Sequence, residues 1–156
     1  MKPAMTPQQE YLANMGSKSP LKIYRELAVG DLSVFGFAYY EIMQLLLSGL
    51  PGILGFGARA LLYPPLFRSC GRRPGLGHGM VLRRPAQISL GEKLLADDYS
   101  VLDVRGDVGS IEIGDFVSIG RFTTITAKNA EIKIGNGVNI GSFCRVATQS
   151  KIVMEE

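Results

Sequence analysis

From about residue 76 the chain advances in six-residue steps led by an aliphatic or small apolar residue, a period that fits neither an α-helix nor a flat strand. Leu90, Ala96 and Leu102 form one set, Ile113, Ile119 and Ile125 a second, and Ile134, Ile140 and Val146 a third. Each set follows the same lead-in: "ISLG" from Ile88, "IEIG" from Ile111, "IKIG" from Ile132, and a degraded "IVME" from Ile152. The lead-ins start 23, 21 and 20 residues apart, so the excess over three hexads falls in short loops between coils. Three short strands per turn make a triangular prism in which the first residue of each hexad points into the axis. The fifth position, filled by Leu94, Ser100, Gly106, Val117, Thr123, Val138, Cys144 and Ser150, also faces inward near a corner and favours small or β-branched side chains. Glycine in the second place, as at Gly91 and Gly114, is expected to let the backbone turn without a Cβ clash. Such coils stack so that each covers its neighbour's apolar cross-section.

This solenoid pattern makes the glycine-rich repeat an element of scaffold rather than a phosphate loop. Gly114-Asp115 and Gly135-Asn136 read as corner residues first and ligands second. Cys144 occupies an inward slot for a small side chain, and Cys70 lies far from it. The two cysteines match neither a disulfide framework nor a metal spacing, and both read as buried small residues in a reducing compartment.

Upstream the punctuation is helical. Thr6-Pro7 with Gln9 and Gly16 frame one helix, and Ser19-Pro20 with Gly30 a second. Asp31 is expected to cap a third over 32–48, and Pro51 to open a fourth that Pro64-Pro65 stop. The chain therefore divides into an N-terminal helical segment at 1–30, an apolar helical hairpin at 31–70, and a hexapeptide-repeat β-helix at 71–156.

Net charge is only +3, but six arginines (Arg59, Arg68, Arg72, Arg73, Arg83 and Arg84) meet no acid between Glu41 and Glu92. The basic stretch overlaps the most apolar one, since Ile42 to Ala58 carries no charge. Pro51 and four nearby glycines argue against a single straight span of about 20 apolar residues. No secretory signal stands out. Two readings stay open for residues 32–73: a hairpin packed on the domain or on a partner subunit, or a membrane-surface hairpin whose arginines meet anionic headgroups. A nucleic-acid role fits poorly, because the arginines flank an apolar run instead of alternating with aromatics on a soluble face.

With the hexads in place, "GMVLRRPAQISLGEKLLADDYSVLDVRG", "IEIGDFVSIGRFTTIT" and "IKIGNGVNIGSFCRV" resemble the hexapeptide-repeat acyltransferases, and within them bacterial sugar or polysaccharide O-acetyltransferases, over roughly 71–156. The resemblance implies a mainly β fold, a left-handed parallel β-helix preceded by an α-helical apolar region. It also implies acetyl-CoA or another acyl-CoA as co-substrate, a saccharide acceptor, a homotrimer, and a cytoplasmic location peripheral to the inner face of the membrane. Family members use a histidine to take the acceptor's hydroxyl proton during attack on the thioester.

Here the chain departs from the family, because its one histidine, His78, lies in the early hexad "LGHGMV", outside the matching motifs, and reads as a solvent-facing side chain. No residue is assigned as catalytic. The chain ends at "KIVMEE" as a further coil begins, which leads one to expect a longer enzyme or completion by a partner. Candidate binding residues are Asp98, Asp103 and Arg105 in "DDYSVLDVRG", together with Asn139; corner solvation explains them equally well. The competing function is a non-catalytic, membrane-associated β-helix that scaffolds another subunit. A metal enzyme of the β-helical carbonic anhydrase type requires several histidine ligands, and no metal site is expected.

Overall fold

A computed structural model of the chain describes Ala13, Gly16 and residues 18–155; apart from Ala13 and Gly16, the helix expected between Thr6 and Gly16 lies outside the described residues. From residue 18 on, three helices come first. In α1, Pro20–Ala28, the Ser19 hydroxyl accepts from the Lys22 amide and Gly30 at φ +68° ends the run. In α2, Val34–Leu47, the cap is Ser33, whose hydroxyl accepts from Gly36 N at 3.1 Å, and not Asp31 as the sequence suggests. α3, Gly52–Leu62, starts after Pro51 and gives way to a single 3-10 turn at Pro64–Leu66.

Thirteen strands follow: β1 Ser69–Cys70, β2 Gly75–Leu76, β3 Val81–Arg83, β4 Ile88–Leu90, β5 Leu95–Ala96, β6 Val101–Arg105, β7 Ser110–Ile113, β8 Ser118–Ile119, β9 Thr124–Lys128, β10 Glu131–Ile134, β11 Asn139–Ile140, β12 Arg145–Thr148 and β13 Lys151–Met154. They wind into three parallel sheets, with orders β1-β4-β7-β10-β13, β2-β5-β8-β11 and β3-β6-β9-β12. We call these sheets A, B and C. The result is a parallel β-helix of four complete three-strand turns plus β13, consistent with the left-handed class that the hexads and the resemblance lead one to expect.

The register stacks Cys70, Leu90, Ile113, Ile134 and Met154 in one column, Leu76, Ala96, Ile119 and Ile140 in another, and Leu82, Leu102, Ile125 and Val146 in the third. Cys70, Leu76 and Leu82 are thus a first set of hexad leads, one coil earlier than the sets plain in the sequence. Its lead-in, "LFRSC", lacks the aliphatic-Gly signature, which is why it is hard to see. Cys70 and Cys144 are free and half-buried, and burial pushes the Cys70 thiol pKa up.

The glycines in second position do a different job from the one expected. Among them Gly71, Gly77, Gly91, Gly114 and Gly120 do not have positive φ; instead a Cβ there would overlap the backbone, or at Gly114 also the Asn136 side chain, of the next coil. The left-handed turn falls two residues later, at Arg73, Gly79, Lys93, Tyr99, Phe116, Phe122, Gly137 and Phe143. Corner geometry is therefore imposed mostly on bulky residues, with Gly79 and Gly137 the glycines that take it, while the second-position glycines answer to coil-to-coil proximity.

The helices close the N-terminal end of the prism. Gly75 and Gly77 donate to Leu94 and Ala96 of the next coil, so Leu76 between them turns its carbonyl toward the open edge. There Arg59 Nε donates to Leu76 O at 2.8 Å, and Tyr40 Oη donates to Leu82 O at 2.7 Å. Tyr40, Leu47, Tyr63, Leu66 and Phe67 are buried in one continuous core with the inward isoleucines and leucines. Between helices, Tyr24 Oη donates to Glu41 Oε1 at 2.7 Å, and this bond is the main reason the Tyr24 pKa rises from 10.0 to about 12. A folded pKa raised above the unfolded one gives stability that is complete below pH 10 and is lost as pH climbs toward 12. Since the pair is partly exposed the effect is small. We expect alkaline titration to show it as a loss of stability over that window that Tyr24→Phe removes.

Candidate functional site

The first three residues of "PGILGF" lie across the corner that follows β2, and between them opens a cleft of about 470 Å³. Pro51, Gly52, Ile53, Phe56 and Arg59 form its helical wall, and His78, Asp98 and Tyr99 its β-helical wall. The corner is pinned to the helices because Gly79 N donates to Ser48 O at 2.8 Å. Gly79 holds φ +67°, and a Cβ there would stand 2.6 Å from the Tyr99 ring, so glycine is required on both counts.

The cleft's polar groups are largely engaged by the fold. Arg59 is 2% exposed and its guanidinium donates to three carbonyls, Leu76 O, Leu47 O at 2.8 Å and Leu50 O at 2.7 Å. Burial lowers its pKa, opposed by Tyr63 and Asp98, yet arginine starts so high that it stays charged. Asp98 Oδ1 accepts from the backbone N of His78 at 2.7 Å. The same device recurs along the corners, with Asp115 Oδ1 accepting from Glu92 N and Asn136 Oδ1 from Asp115 N. Asp98 is therefore a corner cap as well as part of the cleft wall. His78 is half-buried and packs edge-on to Tyr99 with centroids 5.2 Å apart, so it is not the free solvent-facing side chain that the sequence suggests. Tyr99, Phe122 and Phe143 continue from it as a stack of parallel rings, 5.2 Å from one to the next.

The other candidates do not join this site. Asp103 lies between inward Leu102 and Val104, and so on the outer face of sheet C, where Arg105 Nε reaches its Oδ2 at 2.8 Å. Its Oδ1 is buried without a hydrogen-bond partner among the described residues. Asn139 is exposed on sheet B, and its Oδ1 accepts from Ser118 Oγ of the neighbouring strand at 2.7 Å. Asp98, Asp103 with Arg105, and Asn139 thus occupy a corner and two different faces of the prism. What sequence reasoning missed is the pairing of His78 and Asp98 in one cleft. The hexad register carries that signal, because both are third-position residues one coil apart. Among the described residues, no group of three or more His, Cys, Asp or Glu side chains is placed to hold a metal.

No family model matches the chain, and no curated protein does. Among solved structures, serine acetyltransferase isoform 3 in complex with cysteine from Entamoeba histolytica is similar to it at 15% identity and a TM-score of 0.33. The match covers 76% of this chain and 44% of that one, so the chain spans less than half of that protein's length. At this identity and score the likeness says nothing about activity.

Proposed function

We propose that the chain is an acyl-CoA-dependent O-acyltransferase, transferring an acetyl or similar group to a saccharide hydroxyl. The observation that carries this reading is the cleft at the solenoid corner, where the chain's one imidazole packs on the Tyr99 ring in a wall shared with Asp98, whose carboxylate holds the His78 backbone N. In the reaction, the acceptor oxygen bonds the thioester carbonyl carbon, the C–S bond breaks, and the hydroxyl proton passes by way of the base to the departing thiolate. His78 is the group in the cleft assigned to relay that proton, since an imidazole can both accept and donate one. Ile53, Phe56 and Tyr99 give the cleft an apolar wall of the kind an acyl arm requires. A cleft of this volume takes the thioester end and the reacting hydroxyl, leaving the nucleotide part of the co-substrate outside. A homotrimer, with prisms side by side, would supply further walls for it.

A second reading rests on a specific observation. Arg59 is saturated by backbone carbonyls and Asp98 is spent partly on a corner cap, as expected of a scaffold that holds another subunit without doing chemistry. Thiol release from acetyl-CoA in the presence of a panel of saccharide acceptors separates the two. For the enzyme, His78→Ala lowers the rate by about 10²–10⁴-fold with unchanged circular dichroism. Absence of acceptor-dependent thiol release, with a heteromeric partner on copurification, gives the scaffold. Release that is indifferent to His78→Ala places the base elsewhere and overturns the assignment of His78.

A further inference from the structure

The docked hairpin leaves its outer surface bare. Phe35 is 88% exposed, Leu45 82%, Ile53 85%, and Leu54 and Leu61 77% each. On α2, Phe35, Ile42, Leu45 and Leu46 recur at helical spacing on the side away from buried Tyr40 and Leu47; on α3, Ile53, Leu54 and Leu61 lie off the flank of buried Gly55 and Arg59. Apolar side chains this exposed, on two adjacent helices, mark an interaction surface rather than ordinary surface scatter.

We infer that this face seats on an anionic lipid bilayer surface. Charge decides between a membrane and a second copy of the chain. Arg68, Arg72 and Arg73 are exposed, and the last two stand on the corner just before Gly75, against which Phe56 of α3 lies. No carboxylate occurs in the sequence between Glu41, which accepts from Tyr24, and Glu92 at the next coil's corner. A twofold pairing of the face with itself would gather the arginines of both copies at one contact with no carboxylate from the acid-free stretch to offset them, whereas anionic headgroups neutralise them. No helix among the described residues is long and apolar enough to cross a membrane, so the geometry is that of helices lying in the interface. Ile53 belongs to both the bare face and the cleft wall, so seating carries the cleft mouth to headgroup level.

The chain contains no tryptophan, so Phe35→Trp or Leu61→Trp introduces a single emission probe at an exposed site. On adding vesicles of phosphatidylcholine mixed with phosphatidylglycerol, the emission shifts to the blue and the protein sediments with the vesicles. Phosphatidylcholine alone binds it more weakly. Replacing Arg68, Arg72 and Arg73 with glutamine weakens binding to the anionic vesicles by about fivefold per residue, and raising salt does the same. Ile53→Asp with Leu54→Asp abolishes it. The inference is overturned if the folded protein stays monodisperse in plain buffer with no shift and no co-sedimentation. It is equally overturned if the protein forms a dimer that Ile53→Asp dissociates while vesicles leave the emission unchanged, since the face then belongs to a second copy. Neither outcome depends on acyl transfer, which is measured separately.

Discussion

Arg59→Met destabilises the protein by about 3–5 kcal/mol, a large fraction of the roughly 5–15 kcal/mol that holds a domain of this size together. The substitution keeps most of the volume but removes the Arg59 donors to Leu76 O, Leu50 O and Leu47 O, of which only Leu47 O keeps a second, longer bond from Leu50 N at 3.4 Å. Each buried carbonyl left without a partner costs about 1–3 kcal/mol. Relief of the guanidinium's own desolvation, visible in its lowered pKa, works the other way. The three acceptors outweigh it because they are fixed by different elements: the end of α2, the turn into α3, and the first strand of sheet B. They cannot find substitutes by one local shift. Arg59→Lys recovers less than half of the loss, since a single ammonium cannot span three acceptors held by a planar fork. Urea unfolding followed by circular dichroism measures this, and hydrogen exchange in α2 and α3 should rise before exchange in the later strands. A loss below about 1 kcal/mol would mean that apolar contacts alone hold the helical cap.

Gly91→Ala costs about 3 kcal/mol, whereas Arg73→Gly changes stability by less than about 1 kcal/mol. The contrast separates the two uses of the hexad. At Gly91 the added methyl group meets the Gly114 carbonyl and Asp115 N, which are backbone atoms of a coil held at the strand-to-strand spacing of about 4.8 Å. Gly91 N itself donates to Ile113 O at 2.8 Å, so the coils cannot part without breaking the ladder. Arg73 sits in the left-handed region at φ 56° with its side chain exposed, so glycine removes strain of about 1 kcal/mol while raising the entropy of the unfolded chain. Thermal unfolding of the two variants tests the distinction, and equal destabilisation by both would refute it.

The sequence by itself determined the solenoid. One inward residue per six is a local rule, repeated until coil stacking is forced, and Ile113, Ile119 and Ile125 obey it as the register requires. It also determined α1, where Ser19-Pro20 and Gly30 act within a single turn of chain. Only tertiary structure decided which glycine answers to conformation and which to the next coil, because proximity between coils about twenty residues apart is invisible in a local pattern. The same holds for Arg59, legible in sequence as one of six arginines in an acid-free stretch, but in the folded chain a buried donor to three carbonyls. His78 and Asp98 come together for the register reason, and Ile53 and Phe56 complete their cleft for another: α3 must dock to satisfy the open edge of the first coil. Asp103 with Arg105, and Asn139, face other sides of the prism, since a residue's side is set by its place in the three-hexad turn and not by its nearness to other polar residues in the chain.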